Sequence, residues 1–388
     1  MPSYFSPGIY VEEVAGGARP IGAVGTSTAG FVGVAPDPEA RVDEAVAIGS
    51  WTEFLRIFAS IDDAPSTVLA RAVFGFLDNG GSRCYVVNTG ESAELAGTGN
   101  RRTGLQLLEA VDEIAIVAAP GQSDPASYEA LLTHCEQLRD RVAILDPPES
   151  ASDVSALTQV ALIGEEEALR PRQSDYGALY FPWLQVRDPL TGEVVATPPS
   201  GHLAGIWARN DATRGVHKAP ANEPVRGAIG LTQLVTRAEQ DVLNPAGVNC
   251  IRAFGAEGIR VWGARTLAAE ASEWRYVNVR RLFNMLEESI AEGTRWMVFE
   301  PNDSSLWRSI RRDIVAFLTR VWRDGALLGR TPAEAFFVQC DEETNPPDVR
   351  DQGQVVAVIG VAVVKPAEFV VFRLSQWAGG AATETLGS

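Results

Sequence analysis

The segment IAIVAAPGQSDPASYEALLTHCEQLRDRVAIL, residues 114–145, decides the fold class. Its two ends, Ile114 to Ala118 and Val142 to Leu145, are apolar runs of strand length. Between them, Ala126 to Arg139 carries a helical pattern. Strand, helix, strand is the repeating unit of a parallel sheet with helical layers, so the fold class read here is α/β.

The alternation extends in both directions. Toward the N-terminus, Ala23 to Val34 reads as a strand with turns and Trp51 to Ala59 as a helix opened by Ser50. Ser66 to Leu77 is a second helix, closed by Asn79-Gly80-Gly81, and Arg83 to Asn88 is a strand. Toward the C-terminus, helices are expected at Gly104 to Val111, Ser152 to Ile163 and Pro198 to Asn210. Strands are expected at Ala178 to Val186, Glu193 to Ala196, Val248 to Phe254 and Ile259 to Ala264, with a turn at Asp188 to Gly192. The last hundred residues change texture. Val279, Leu282, Phe283, Leu286 and Ile290 mark one helix, and Trp307, Ile310, Ile314, Phe317, Leu318 and Val321 a second, capped by Ser304 or Ser305. Thr331-Pro332-Ala333-Glu334 has the form of a capping box before strands at Phe336 to Asp341 and Gln354 to Val364. The whole is therefore α+β around a middle α/β domain. The expected divisions are an N-terminal arm at 1–20, a segment packing with the core at 21–93, the middle domain at 94–270, a C-terminal domain at 271–365 and a C-terminal strand arm at 366–388.

Both arms follow from composition. Residues 1–20 hold three prolines and three glycines around one extended run containing Ile9, Val11 and Val14, too few apolar groups to fold alone. Glu368 to Leu374, with Phe369, Val371, Phe372 and Leu374, reads as a strand apolar on both faces. An extended segment with no core of its own buries its side chains against something else. Augmentation of a sheet in another subunit, at about 1 kcal/mol net per backbone hydrogen bond, is the expected use, and pairing within the same chain is the alternative.

Charge and chemistry narrow the function. The 388 residues include 50 acids and 33 basic residues, a net charge of −17, which repels phosphate backbones and anionic lipid and excludes a general nucleic-acid or membrane binder. Only Lys218 and Lys365 are lysines, so positive charge is carried by arginine, the residue suited to forked contacts. The start MPSYFSPGIYVEEV lacks a basic region followed by an apolar one, and the expectation is a cytoplasmic protein. The four cysteines, Cys84, Cys135, Cys250 and Cys340, lie far apart and read as reduced, buried thiols. Gly25 to Gly30 has P-loop spacing, but Phe31 stands where lysine must reach phosphate. No GxSxG elbow and no HExxH occurs, and His134 and Cys135, adjacent on a helix, point about 100° apart, His134 toward the surface. The reading is no catalytic residues, no metal and no cofactor, with a cytoplasmic α/β enzyme or small-molecule-binding protein as the alternative.

Several short blocks, taken in order, resemble contractile tail sheath proteins. These are Ser6-Pro7-Gly8-Ile9-Tyr10-Val11-Glu12-Glu13, Val24-Gly25-Thr26-Ser27 with Phe31-Val32-Gly33, and the run from Phe76 to Val87. Others are Ala143 to Pro148, Tyr180-Phe181-Pro182-Trp183, Asn244 to Asn249, Val261 to Leu267, and Tyr276 to Arg281. The resemblance implies a structural subunit that stacks in hexameric rings around an inner tube and contracts to drive the tube through a membrane. It further implies a homo-oligomer that meets tube, baseplate and terminal cap proteins, and a middle domain of subtilisin-like topology without its catalysis. The second C-terminal helix is expected to face the tube: at 100° per residue Arg308, Arg311, Arg312, Arg320 and Arg323 share an arc opposite the apolar stripe. The window Trp274 to Arg330 holds ten arginines against seven acids, leaving −20 for the rest of the chain.

Overall fold

The computed structural model describes residues 20–90, 95, 97, 102–162 and 168–371. The first region supplies β1 (Ala29–Gly33), β2 (Ala45–Ile48), α1 (Trp51–Phe58), α2 (Val68–Asp78) and β3 (Cys84–Asn88). The middle adds β4 (Ile116–Ala118), α3 (Pro125–Leu138), β5 (Val142–Leu145), β6 (Gly177–Phe181), β7 (Leu184–Arg187) and β8 (Val194–Thr197). It continues through α4 (Ser200–Arg214), β9 (Ala228–Leu231), α5 (Arg237–Leu243), β10 (Val248–Ala253) and β11 (Ile259–Val261). The C-terminal part consists of α6 (Val277–Thr294), α7 (Ser304–Arg323), α8 (Pro332–Ala335), β12 (Phe336–Gln339), α9 (Pro347–Asp351) and β13 (Val358–Val361).

Eight strands form one sheet in the order β11-β10-β6-β5-β4-β1-β3-β2. Its six inner strands are parallel and each edge strand runs antiparallel to its neighbour. Alternation along each strand divides its side chains between two cores. Phe31, Ile116, Ile144 and Tyr180 pack with Phe54, Phe76, Leu203 and Trp207 from α1, α2 and α4. Val32, Val117, Ala143, Leu179 and Phe181 pack with Tyr128, Leu131, Leu132, Cys135 and Leu243 from α3 and α5. Burial on both faces is why these strands read as unbroken apolar runs. The α2–α4 contact is closed at backbone distance, since a Cβ on Gly205 would stand 2.3 Å from the Phe76 carbonyl oxygen. A third core joins α6 and α7 through Leu282, Leu286, Trp307, Ile310, Phe317 and Leu318, and it takes in Ile21 from the start of the described chain.

Several elements differ from their expected form. Residues 21–93 are more than a segment packed on the core, because β1, β2 and β3 are strands of the central sheet. Among the described residues, Gly104 to Val111 and Ser152 to Leu162 contain only short 3-10 turns, at Leu105–Ala110 and Val154–Thr158. Ala178 to Val186 is two strands, since Pro182 has no N–H to continue a ladder and β7 turns away to pair with β8 and β9. The cap of α7 is Asp303, whose carboxylate accepts from the N–H groups of Ser305 and Leu306, and neither Ser304 nor Ser305 caps it. At α8 the Thr331 side chain makes no cap bond, and Glu334 accepts from the Arg330 N–H instead. Glu368 to Val371 belongs to no strand, because no ladder partner lies beside it among the described residues.

Candidate assembly surfaces

An open parallel sheet places ligands at the carboxyl ends of its strands. Here that position is filled. Asp146 follows β5, and its buried carboxylate accepts from the N–H groups of Gly121 (3.0 Å) and Ser200 (2.9 Å) and from the Ser200 hydroxyl (2.5 Å). Burial pushes this carboxyl up to about 6 against the hydrogen bonds that favour its charge. Trp183 donates to the Pro147 carbonyl and Tyr128 to that of Asp146, closing the end of β5 further. Ser200 is fully buried, and the His202 ring packs against Gly75 of α2, where burial lowers its pKa to about 4. His134 is buried as well, not on the helix surface; burial, with Arg141 nearby, brings it down to about 4. The four cysteines are free and buried, and burial pushes the Cys250 thiol up to about 12. Among the described residues no group of acids, histidines and cysteines could hold a metal ion, and no helix is long and apolar enough to cross a membrane.

Polar effort is spent instead on joining the two halves of the molecule. Arg281 on α6 makes a forked pair with Asp211 on α4 (3.0 and 2.6 Å), donates to the Thr26 carbonyl (2.7 Å) and lies 4.7 Å over the Trp207 ring. Its neighbour Arg280 points to the other side, between Tyr176 and Trp274, and pairs with Asp175. Both guanidiniums are almost wholly buried. They therefore take two of the ten arginines away from any outward-facing basic surface.

The five arginines of α7 are exposed, opposite a buried stripe of Leu306, Trp307, Ile310, Ile314, Phe317 and Val321. Three of them, Arg308, Arg311 and Arg323, make no ion pair among the described residues. Arg312 pairs with the buried Asp313 at 3.1 Å. Arg320 lies at the margin of the arc, about 120° from Arg308, and donates to the Ile21 carbonyl. Four arginines thus project freely or nearly so, while the fifth ties down the incoming chain.

Of the arm residues, Ile9, Val11, Val14, Phe372 and Leu374 lie outside the described residues. Phe369 and Val371 are described, and with Val370 they are 72%, 77% and 70% exposed. Phe369 and Val370 border a cavity of about 710 Å³ lined in part by Arg237, Arg252, Trp262 and Arg275. Among the described residues β12 and β13 make a two-stranded sheet that packs on the α7 core through Phe336 and Val338 and leaves Phe337 and Val358 exposed. Missed in the sequence were β2, β9, α5 and α9, although Thr236 to Glu239 carries the capping box that opens α5.

Comparison with known proteins agrees with this architecture along nearly its whole length. The family model described as phage tail sheath protein central domain matches residues 100–267, and that of the phage tail sheath C-terminal domain matches 269–376. The tail sheath protein of Vibrio phage KVP40 is 33% identical over 179 residues, 45% of this chain and 26% of its own length. That of Burkholderia phage BcepMu is 25% identical over 322 residues, 80% of this chain and 65% of its own length. The chain thus spans between about a quarter and two thirds of the curated relatives it matches. Among solved structures, the helical sheath of the anti-feeding prophage in its contracted state is 30% identical with a TM-score of 0.77, covering 96% of this chain and 100% of that one. The sheath complex of the extracellular contractile injection system PVC, also contracted, is 29% identical with a TM-score of 0.78, over 97% and 99% of the two chains. With the two domain matches covering most of the sequence and full-length similarity at 30% identity, the chain belongs to the contractile tail sheath protein family.

Proposed function

We propose that this chain is the sheath subunit of a phage tail or phage-tail-like particle, polymerising as stacked hexameric rings around an inner tube and contracting to drive the tube through a target membrane. Its partners are copies of itself, the tube protein, and the baseplate and terminal cap proteins, and it assembles in the cytoplasm of the producing cell. It performs no catalysis and needs no cofactor. One observation carries the reading: among the described residues the apolar segment Phe369 to Val371 is exposed and belongs to no strand, and the two-stranded sheet of β12 and β13 carries the exposed side chains Phe337 and Val358. Such a donor and such an acceptor, repeated in every subunit, make a lattice held by strand augmentation. Rigid bodies joined by extended segments can then change their relative rotation without dissociating.

Tube contact falls to the arginine face of α7, a basic stripe on an otherwise acidic chain. Co-expression with the tube and baseplate proteins of the same particle, followed by negative-stain microscopy, tests the reading. Striated tubes of regular width support it; compact monodisperse particles in the presence of tube and baseplate would overturn it.

A further inference from the structure

The last hydrogen-bonded side chain of the described C-terminal segment is Glu368, and its surroundings are unusual. Four donors converge on one carboxylate. Arg265 reaches it twice, Nε to Oε1 at 2.9 Å and Nη2 to Oε2 at 2.8 Å. Asn244 Nδ2 donates to Oε1 at 2.8 Å and the Tyr276 hydroxyl to Oε2 at 2.9 Å. These donors come from the end of α5, from the stretch after β11 and from the residue before α6. Asn244, Arg265 and Tyr276 also belong to three separate blocks singled out in the sequence, whose purpose the assembly surfaces leave unexplained.

The receiving side is rigid. Only 4% of the Arg265 side chain is exposed, and its Nη1 donates to the Asn244 carbonyl. The backbone of Arg265 is held at both ends by Asn249 on β10, which accepts from its N–H (2.7 Å) and donates to its carbonyl (2.8 Å) and to that of Leu179 on β6. Arg265 and Tyr276 are themselves bridged through their backbones. A continuous chain of hydrogen bonds therefore runs from Glu368 into two adjacent strands of the central sheet. On the other side of Glu368, Phe369, Val370 and Val371 are exposed.

We infer that Glu368 is a positioning residue for the C-terminal arm: it fixes the point and direction from which the arm leaves the body, and passes load from the arm into the central sheet. The inference rests on the reading of residues beyond 368 as a subunit-linking arm. A carboxylate is required for chemical reasons. Each of its oxygens accepts from two donors, and the guanidinium cannot accept in return. In Glu368→Gln the amide nitrogen would face Arg265 or Asn244 as a donor against a donor, whichever way it turned. Without the anchor, the preceding fixed point is Val364, whose carbonyl accepts from Asn278, so the arm would gain several freely rotating residues at its root.

The test is a spin-label distance measurement on the unassembled subunit. Labels go on Val371→Cys and on Ala238→Cys, an exposed position of α5, while the buried native cysteines escape labelling. The wild-type background should give one narrow distance distribution. In Glu368→Ala and Glu368→Gln it should become about twofold broader while circular dichroism shows the body still folded, at a melting temperature lowered by the loss of the buried Arg265's partner, and Glu368→Asp should recover part of the narrowing. Should Glu368→Ala fail to fold, Tyr276→Phe removes one donor and should broaden the distribution less. A distribution equally narrow in wild type and Glu368→Gln, or already broad in wild type, overturns the inference. A narrow wild-type distribution from subunits that never form sheaths with the tube would instead tell against the assembly reading and leave the anchor standing.

Discussion

Glu288 on α6 shows how a single residue can set the pH response of the subunit. Burial pushes its carboxyl up to about 7, with Asp140 and Glu292 and then Asp112 raising it further and Arg141 opposing. Between the ordinary value of 4.5 and about 7 the folded state keeps a proton that the unfolded chain has released, so stability falls as pH rises through that window. Glu288→Gln should therefore melt above wild type near pH 8 and together with it near pH 4, read by thermal denaturation across the range. Equal melting throughout would show that Glu288 is not held protonated. Arg281 makes the opposite case, a buried charge that is paired. Arg281→Ala should cost about 3–5 kcal/mol in a denaturant titration because Asp211 is left uncompensated, and the double replacement Arg281→Met with Asp211→Leu should recover much of it. A loss below about 1 kcal/mol would show that the pair does not join the halves. None of this was legible in the sequence. Arg281 and Asp211 are 70 residues apart and Arg265 and Glu368 are 103 apart, and only the fold brings them together.

Elements were more legible than their ends. The strand, helix, strand reading of residues 114–145 matches β4, α3 and β5 closely, because strands buried on both faces and an amphipathic helix differ in period and length. Local chemistry at the termini is ambiguous in a way that periodicity is not. Thr236 to Glu239 and Thr331 to Glu334 carry the same four-residue pattern, yet the first forms a full capping box and the second does not, since Glu334 turns to the Arg330 N–H. Asp303 outcompetes the two serines after it because its carboxylate reaches two N–H groups at once. The α7 stripe was legible except for Leu306, which the structure also buries, and its outer face can be tested as a unit. Arg308→Glu, Arg312→Glu and Arg323→Glu together should leave the body folded, at a melting temperature lowered by the loss of the Arg312–Asp313 pair, but abolish co-assembly with the tube, each single change being milder and sensitive to salt. Tube-filled sheaths of normal length from the triple variant would place the tube contact elsewhere.

At the scale of the molecule, one body is built from a central sheet, a helical C-terminal part pinned to it by Arg280 and Arg281, and an arm root held by Glu368. Loss of residues 1–15 should leave that body folded by circular dichroism but unable to form long sheaths by sedimentation, and unchanged tubes would remove the N-terminal arm from the lattice. If the extended lattice is trapped behind a kinetic barrier, contraction draws on energy stored at assembly, and the loop at Gly25 to Gly30, followed by Phe31 where a P-loop has lysine, has no part in it. The most direct measurement is microscopy of purified extended particles before and after mild acid or denaturant in nucleotide-free buffer. The expected result is irreversible conversion to a shorter, wider sheath with the tube protruding; particles that stay extended until a nucleotide is supplied would rule out energy stored in the lattice.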